Sequence, residues 1–368
     1  MLIKFNYIKA IFPGVVLALV FCLFSQGINN VLAIEIFNTP KSPISTVLIA
    51  ILLGILMGNA FTPRPGMMIG LDFTQQYILK LGIIFLGIRL SFADLIKFGS
   101  IAIPLVIFCI VGVLILIKLL IKKVPISSKM SYLIAIGTSV CGATAIVATA
   151  PVINAKKTEV AYAIANITLF GVIAMLVYPY FAEWYFDNNA IEAGLFLGTS
   201  IHETSQVAAA GLIYDQQFNN PETLDVATVT KLIRNTFLVI LIPLFAFLYN
   251  RGEVKEKNYS LINIFPYFVI GFIGMIILRN LGDKIFEVEQ GYYFFEKDDW
   301  YLFILIIKNL ATVFLTMAMA AVGISINLNE LRVMGYKPFI VGFIAALTVG
   351  IVSILSMQFM MTTYNNFF

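Results

Sequence analysis

The chain has 368 residues, of which 60% are hydrophobic and only 12% charged, with a mean hydropathy of +0.94. That balance excludes an ordinary soluble domain, in which about a quarter of residues are charged, and it describes a polytopic membrane protein. The net charge of +4 comes from a few loop lysines, so it bears on orientation in a bilayer and gives no footing for nucleic acid. Cys22, Cys109 and Cys141 stand far apart with no CxxC spacing, which argues against a structural zinc site or a disulfide framework.

With about 20 residues per span, the length holds about ten membrane elements and no sizeable soluble domain. Residues 1–368 therefore read as a single integral membrane domain. The basic start, Lys4 and Lys9, followed by the apolar run 11–24, has the order of a signal peptide. No small-x-small cleavage site follows at Ser25-Gln26-Gly27, and the segment reads as a retained first span. Apolar runs predict spans near 8–26, 44–60, 76–92, 98–121, 160–182, 227–249, 262–279, 301–326 and 338–361. With two further segments near 130–153 and 190–213, this is an all-α polytopic protein of about 9–11 transmembrane elements. The connection 279–299, with Asp283, Glu287, Glu289, Glu296, Asp298 and Asp299 against Lys284 and Lys297, reads as a solvated face. Lys4, Lys9, Lys118, Lys122, Lys123, Lys129, Arg251, Lys255, Lys257, Arg332 and Lys337 assign a cytoplasmic N-terminus and a non-cytoplasmic C-terminus.

The two further segments are related. Gly137-Thr138-Ser139-Val140-Cys141-Gly142-Ala143-Thr144 and Gly198-Thr199-Ser200-Ile201-His202-Glu203-Thr204-Ser205-Gln206 both open with Gly-Thr-Ser, and each runs into an Ala-rich half. The second holds the only histidine of the chain. Segments of this kind in an apolar chain suggest interrupted helices that offer backbone and side-chain polar groups to a ligand; close helix packing by small residues is the competing reading. If each segment dips in and returns as a hairpin, Lys156 and Lys157 lie inside and Glu183, Asp187 and Glu192 outside. If each crosses as a broken helix, those sides are reversed. The positive-inside bias favours hairpins.

Ionisable groups inside a bilayer are costly and mark ligand or proton paths, which singles out His202, Glu203 and Gln206. His202 suits proton exchange near neutral pH. A zincin site is excluded because Gln206 stands where the second histidine is required. Ser139, Cys141, Gly142, Thr144 and Thr204 supply hydroxyl, thiol and backbone donors without charge, and half-helix N-termini here would turn N–H groups toward an anion. There is no acid-rich cage for a divalent cation. Lys231 and Arg234, spaced i to i+3, share a helical face; they would neutralise a substrate, pair with Glu203, or snorkel to headgroups. Arg89 and Lys308 read as structural. Gly87-Ile88-Arg89-Leu90-Ser91 is echoed by Gly323-Ile324-Ser325-Ile326-Asn327 in the opposite orientation, as in inverted-repeat transporters, which adds Ser325 and Asn327 as weaker candidates.

Several of these stretches resemble the YeiH-type sulfate exporter family of bacterial inner-membrane proteins. The resemblance rests on Cys141-Gly142-Ala143-Thr144-Ala145 running into Ala150-Pro151-Val152-Ile153, on Glu159-Val160-Ala161-Tyr162-Ala163 and on Ile201-His202-Glu203-Thr204-Ser205-Gln206. Lys231-Leu232-Ile233-Arg234 and Gly335-Tyr336-Lys337-Pro338 extend it, so that it covers the chain from about residue 50 to the end. The family commonly has Asp after the histidine, where this chain has Glu203. The resemblance implies an inner-membrane transporter, distantly similar to bile-acid/sodium symporters, with inverted repeats and broken helices that cross the bilayer.

The resulting expectation is a secondary transporter, not an enzyme, that moves a small anion such as sulfate or an organic acid by alternating access around a midplane site. It would need no cofactor, would couple to H⁺ or Na⁺, and is compatible with a homodimer. No Walker-type loop for ATP is present. The alternatives are an intramembrane enzyme with Cys141 or Ser139 as nucleophile and His202 as base, and a passive channel.

Overall fold

The computed structural model describes residues 2–38, 42, 44–61, 64–121, 127–151, 153–241, 244, 266–287, 297–327 and 336–367. The expectations for Lys122, Lys123, Arg251, Lys255, Lys257, Glu289, Glu296 and Arg332, and for the second half of the 227–249 span, lie outside them. Every element among the described residues is helical, as expected where lipid offers the backbone no partners. Six helical stretches are long and apolar enough to cross a membrane: Lys9–Ile36, Pro65–Arg89, Phe92–Leu116, Lys157–Phe186, Asp298–Ser325 and Phe339–Met360.

In chain order the helices are α1 (Leu2–Val31), α2 (Thr46–Ala60), α3 (Pro65–Phe73), α4 (Leu79–Leu86), α5 (Phe92–Ile121), α6 (Ser128–Ser139) and α7 (Ala143–Thr149). They continue with α8 (Lys157–Phe186), α9 (Ala190–Ser200), α10 (Thr204–Phe218), α11 (Pro221–Thr236), α12 (Phe268–Glu287), α13 (Lys297–Ser325) and α14 (Tyr336–Phe367). Local chemistry sets several of the starts. Ser45, Ser127 and Asn189 cap α2, α6 and α9 with side-chain oxygens, and Pro65 occupies the first turn of α3.

Several boundaries differ from the sequence reading, as where the first span, expected to end near 26, runs to Ile36, and in two cases local chemistry gives the reason. The span expected at 76–92 begins at Pro65, because α3 and α4 run together through a π-helical turn at Thr74–Ile78. Two polar side chains of this stretch are satisfied inside the bundle. Thr74 donates to the Gly70 carbonyl at 2.9 Å, and Gln75 donates to the Ala321 carbonyl and to Ser325 Oγ at 3.1 and 2.7 Å. The acidic stretch 279–299 is also more helical than expected. Asp283 lies on α12, where it accepts from Arg279 Nε at 2.6 Å and from Trp300 Nε1 at 2.9 Å.

The chain divides into two compact units. The first comprises Met1–Ile96, Leu212–Pro221 and Tyr267–Leu328. Here α13 packs on α2 and α4, and α1 packs on α3, with Gly54 and Gly323 letting the α2 and α13 backbones meet. The second comprises Lys97–Gly211, Glu222–Pro266 and Asn329–Phe368, and its axis is α8. Alongside α8, α14 runs parallel: Gly342 makes room for Asn166, Phe339 packs on Phe170 at 5.0 Å, and Gly350 faces Tyr178. In the opposite sense α5 runs against α14, with Gly112 at Val352 and Phe108 at Phe359.

Both Gly-Thr-Ser segments are hairpins whose turns lie in this second unit. In the first, Lys129 at the head of α6 donates to the Asn154 carbonyl beyond α7 at 2.7 Å, and Gly137 faces Ile146. A straight run from 137 to 146 would separate those residues by about 13 Å. In the second, α9 runs parallel to α11, with Ala190 bonded to Thr223 and Gly198 against Thr230, while α10 runs antiparallel to α11, with Gly211 against Leu224 and Thr204 bonded to Asn235. So α9 and α10 run in opposite senses. The first hairpin opens where α8 begins, as Ser127 bonds Glu159, and the second where α8 ends, beside the Asn189 cap. This supports the hairpins favoured by charge and corrects the crossing helices implied by the family resemblance.

The arrangement predicts sidedness. In a cysteine-free background, single cysteines at Ser127 and Asn154 should both react with an impermeant maleimide from one face of the membrane, and a cysteine at Asn188 from the other. Opposite-face labelling of Ser127 and Asn154 would show a crossing helix instead.

Candidate functional site

The tips of the two hairpins meet beside the middle of α8. Gln206 Nε2 donates to the Thr168 carbonyl at 3.3 Å and its amide lies where a side chain at residue 171 would stand, which requires Gly171; Gly137 faces Ile167. A helix of 30 residues is about 45 Å long, so its middle lies near the centre of a hydrocarbon layer about 30 Å thick.

The turn of the first hairpin depends on glycine. Gly142 adopts φ +67° and ψ −126°, a conformation that L side chains resist. A Cβ there would also press on Glu203, at 2.5 Å from its Cγ. The first hairpin thus closes over a residue of the second.

Ending α6 at Ser139 and α9 at Ser200 leaves carbonyls with no partner in the helix, deep where lipid supplies none. Two cations from α11 take them. Lys231 Nζ donates to the carbonyls of Val140, Ile201 and His202 at 2.9, 2.9 and 2.5 Å. Arg234 donates through Nε to the Ser139 carbonyl at 2.8 Å, through one Nη to Thr138 at 2.5 Å, and through the other to Thr199. Each cation therefore bonds both tips at once, and positive charge at the C-terminal ends of two helices is the favourable sign. Both side chains are fully buried, so neither snorkels to headgroups. A lysine ammonium has three donors and all three go to carbonyls, so the ion pair with Glu203 considered from the sequence is not formed by these bonds.

The returning helices start at the same place. Glu203 Oε1 accepts from the Ala143 N–H at 3.3 Å, and the Glu203 N–H donates to Gln206 Oε1 at 3.3 Å. Thr204 Oγ1 accepts from Asn235 Nδ2 at 2.8 Å. The His202 ring is 1% exposed and its Nδ1 has no hydrogen-bond partner among the described residues, an expensive state for a buried nitrogen. Three of the four hydroxyls that open the two copies turn back on their own helices: Ser139 Oγ to the Ala135 carbonyl at 2.6 Å, Thr199 Oγ1 to Leu195 at 2.6 Å, and Ser200 Oγ to Phe196 at 2.6 Å, while Thr138 Oγ1 has no partner among the described residues. Reachable surface at the tips belongs instead to Cys141, Glu203 and Thr204, which are half-buried, and to Thr144, which is exposed.

Of the residues singled out from sequence, Ser139, Cys141, Gly142, His202, Glu203, Thr204, Gln206, Lys231 and Arg234 come together at the tips, with Thr144 in the first turn of α7. Ser325 and Asn327 belong to the first unit, where Ser325 Oγ accepts from Gln75 and donates to the Ala321 carbonyl at 3.0 Å. Sequence reasoning missed Asn235 and Gln75. Both are amides within apolar helices, a signal that the cost of polar groups in lipid makes readable. Among the described residues no group of three or more His, Cys, Asp or Glu could hold a metal ion.

Comparison with known proteins places the chain in a family of membrane proteins. The family model described as conserved hypothetical protein 698 matches residues 13–342. The chain is 35% identical over 326 residues to the UPF0324 membrane protein FN0533 of Fusobacterium nucleatum, covering 87% of this chain and 91% of that protein. It is 33% identical over 315 residues to the UPF0324 membrane protein SAG1125 of Streptococcus agalactiae, covering 86% and 90%. A UPF0324 membrane protein of Clostridium tetani is 28% identical over 363 residues, covering 95% and 97%. The chain belongs to this membrane protein family, to which the YeiH-like proteins also belong.

Removing one partner from a buried, hydrogen-bonded charge network costs about 3–5 kcal/mol. Arg234→Ala is therefore expected to abolish recovery of monodisperse protein or to lower Tm strongly, and Arg234→Lys, which lacks the planar fork, to lower it less. Size-exclusion chromatography and thermal unfolding of the purified variants check this; an Arg234→Ala protein as stable as wild type would remove the clasp from the account of the tips.

Proposed function

We propose that the protein is a secondary transporter that carries a small anion, such as sulfate or a small organic acid, by alternating access around the meeting point of the hairpin tips. The observation that carries the reading is the entry of two helical hairpins from opposite ends of α8 to meet at its middle. In a membrane, irregular backbone at that depth is tolerated only in protein or along a polar cavity, and discontinuous helices meeting at the midplane are how many transporters build a substrate site. The two hairpins act in this reading as inverted counterparts, each guarding one side.

The charges favour an anion. Lys231 and Arg234 outnumber Glu203 at the tips, and His202 Nδ1 is buried without a partner. Substrate would approach through the reachable groups, Cys141, Thr144, Glu203 and Thr204, while the buried cations set the potential behind them. Lys129, Lys156 and Lys157 lie at the open end of the first hairpin, and Glu183, Asp187 and Glu192 near that of the second. The positive-inside bias then puts the first hairpin's opening in the bacterial cytoplasm, in the cell's inner membrane.

Reconstituted into proteoliposomes, the protein should take up radiolabelled sulfate or a short-chain carboxylate in a saturable manner. His202→Ala and Glu203→Gln are expected to lower initial rates by at least about ten-fold, a loss of about 1.4 kcal/mol of transition-state stabilisation, at unchanged Tm. Normal rates in both variants would remove these residues from the mechanism, and ohmic conductance in planar bilayers would replace the carrier with a pore.

A further inference from the structure

The carbonyls that hold Lys231 have the makings of a cation site. Three backbone oxygens, from Val140 on one tip and from Ile201 and His202 on the other, converge on one point at 2.5 to 2.9 Å. None is a carboxylate, and all three Lys231 donors go to these backbone oxygens. A ring of neutral carbonyls in a buried setting suits a monovalent cation, which it receives by replacing the hydration shell. Unwound carbonyls and half-helix C-terminal ends of discontinuous transporter helices are where such ions lie. The ammonium of lysine is a compact point charge, close in size and charge to a potassium ion.

We infer that Lys231 is a tethered substitute for an alkali cation: the Val140, Ile201 and His202 carbonyls form a monovalent-cation site that the chain fills with its own ammonium group. The wild-type tips then assemble without sodium or potassium, and sodium does not couple at this cage. With the ammonium removed, the same oxygens take a free cation. Arg234 differs. Its planar guanidinium spreads three donors over carbonyls of Thr138, Ser139 and Thr199, a geometry that a spherical ion does not reproduce.

The inference is tested on stability, so the result does not depend on whether the protein transports anything. Lys231→Ala and Lys231→Ser are purified in detergent in the chlorides of potassium, sodium, ammonium or N-methyl-D-glucamine at matched concentration. An ion bound only by the folded state raises Tm in a saturable way, here by at least about 5 °C for either variant relative to N-methyl-D-glucamine. Wild type and Arg234→Lys, which keep the Lys231 ammonium, should show no such difference between cations. Loss of monodisperse protein from both Lys231 variants in every salt, a Tm that ignores the cation, or an equal response of wild type or Arg234→Lys would overturn the inference.

Discussion

Two buried cations on one helix hold this fold's central feature in place. Lys231 and Arg234 lie one helical turn apart on α11, and between them they donate six hydrogen bonds to carbonyls at the ends of α6 and α9 and in the turns beyond. Without such donors, two helices that stop in the middle of a membrane would leave those carbonyls facing a medium with no hydrogen-bonding capacity. Burying two charges is equally unfavourable by itself. The two costs offset one another, because each defect is the partner that the other lacks.

The same arrangement explains why the negative charge at the tips is placed where it is. Glu203 follows the turn of the second hairpin and reaches across to the first N–H of α7, while its own N–H is taken by Gln206. Carbonyl ends face α11 and amide ends face the carboxylate, so charge of each sign meets the helix end of opposite polarity. Gly142 keeps this contact possible, since a larger residue would need both an unfavourable backbone and the space of the Glu203 side chain.

Much of this was legible in the chain. The repeated Gly-Thr-Ser opening marked both hairpins, and the placement of Lys156 and Lys157 against Glu183 and Asp187 favoured re-entry over crossing, because few charges in short loops decide sidedness. The single histidine and the Lys231/Arg234 pair stood out because ionisable groups in lipid are rare. The roles were less legible than the residues. Periodicity puts Lys231 and Arg234 on one face but does not say that they face backbone carbonyls, since that depends on where two other helices stop. Ser139 looked like a ligand donor by residue type, yet in a helix its hydroxyl returns to the Ala135 carbonyl. The start of α3 was missed for a related reason: Gln75 reads as loop until its partner Ser325, 250 residues away in sequence, is known.

The bridging reach of Arg234, from Ser139 and Thr138 in one hairpin to Thr199 in the other, also constrains how the protein can move. Two gates that swing independently would have to break this clasp and strand a guanidinium in oil at every turn of the cycle. Keeping it intact ties both tips to α11, so in the carrier proposed above access would alternate by moving tips and α11 together.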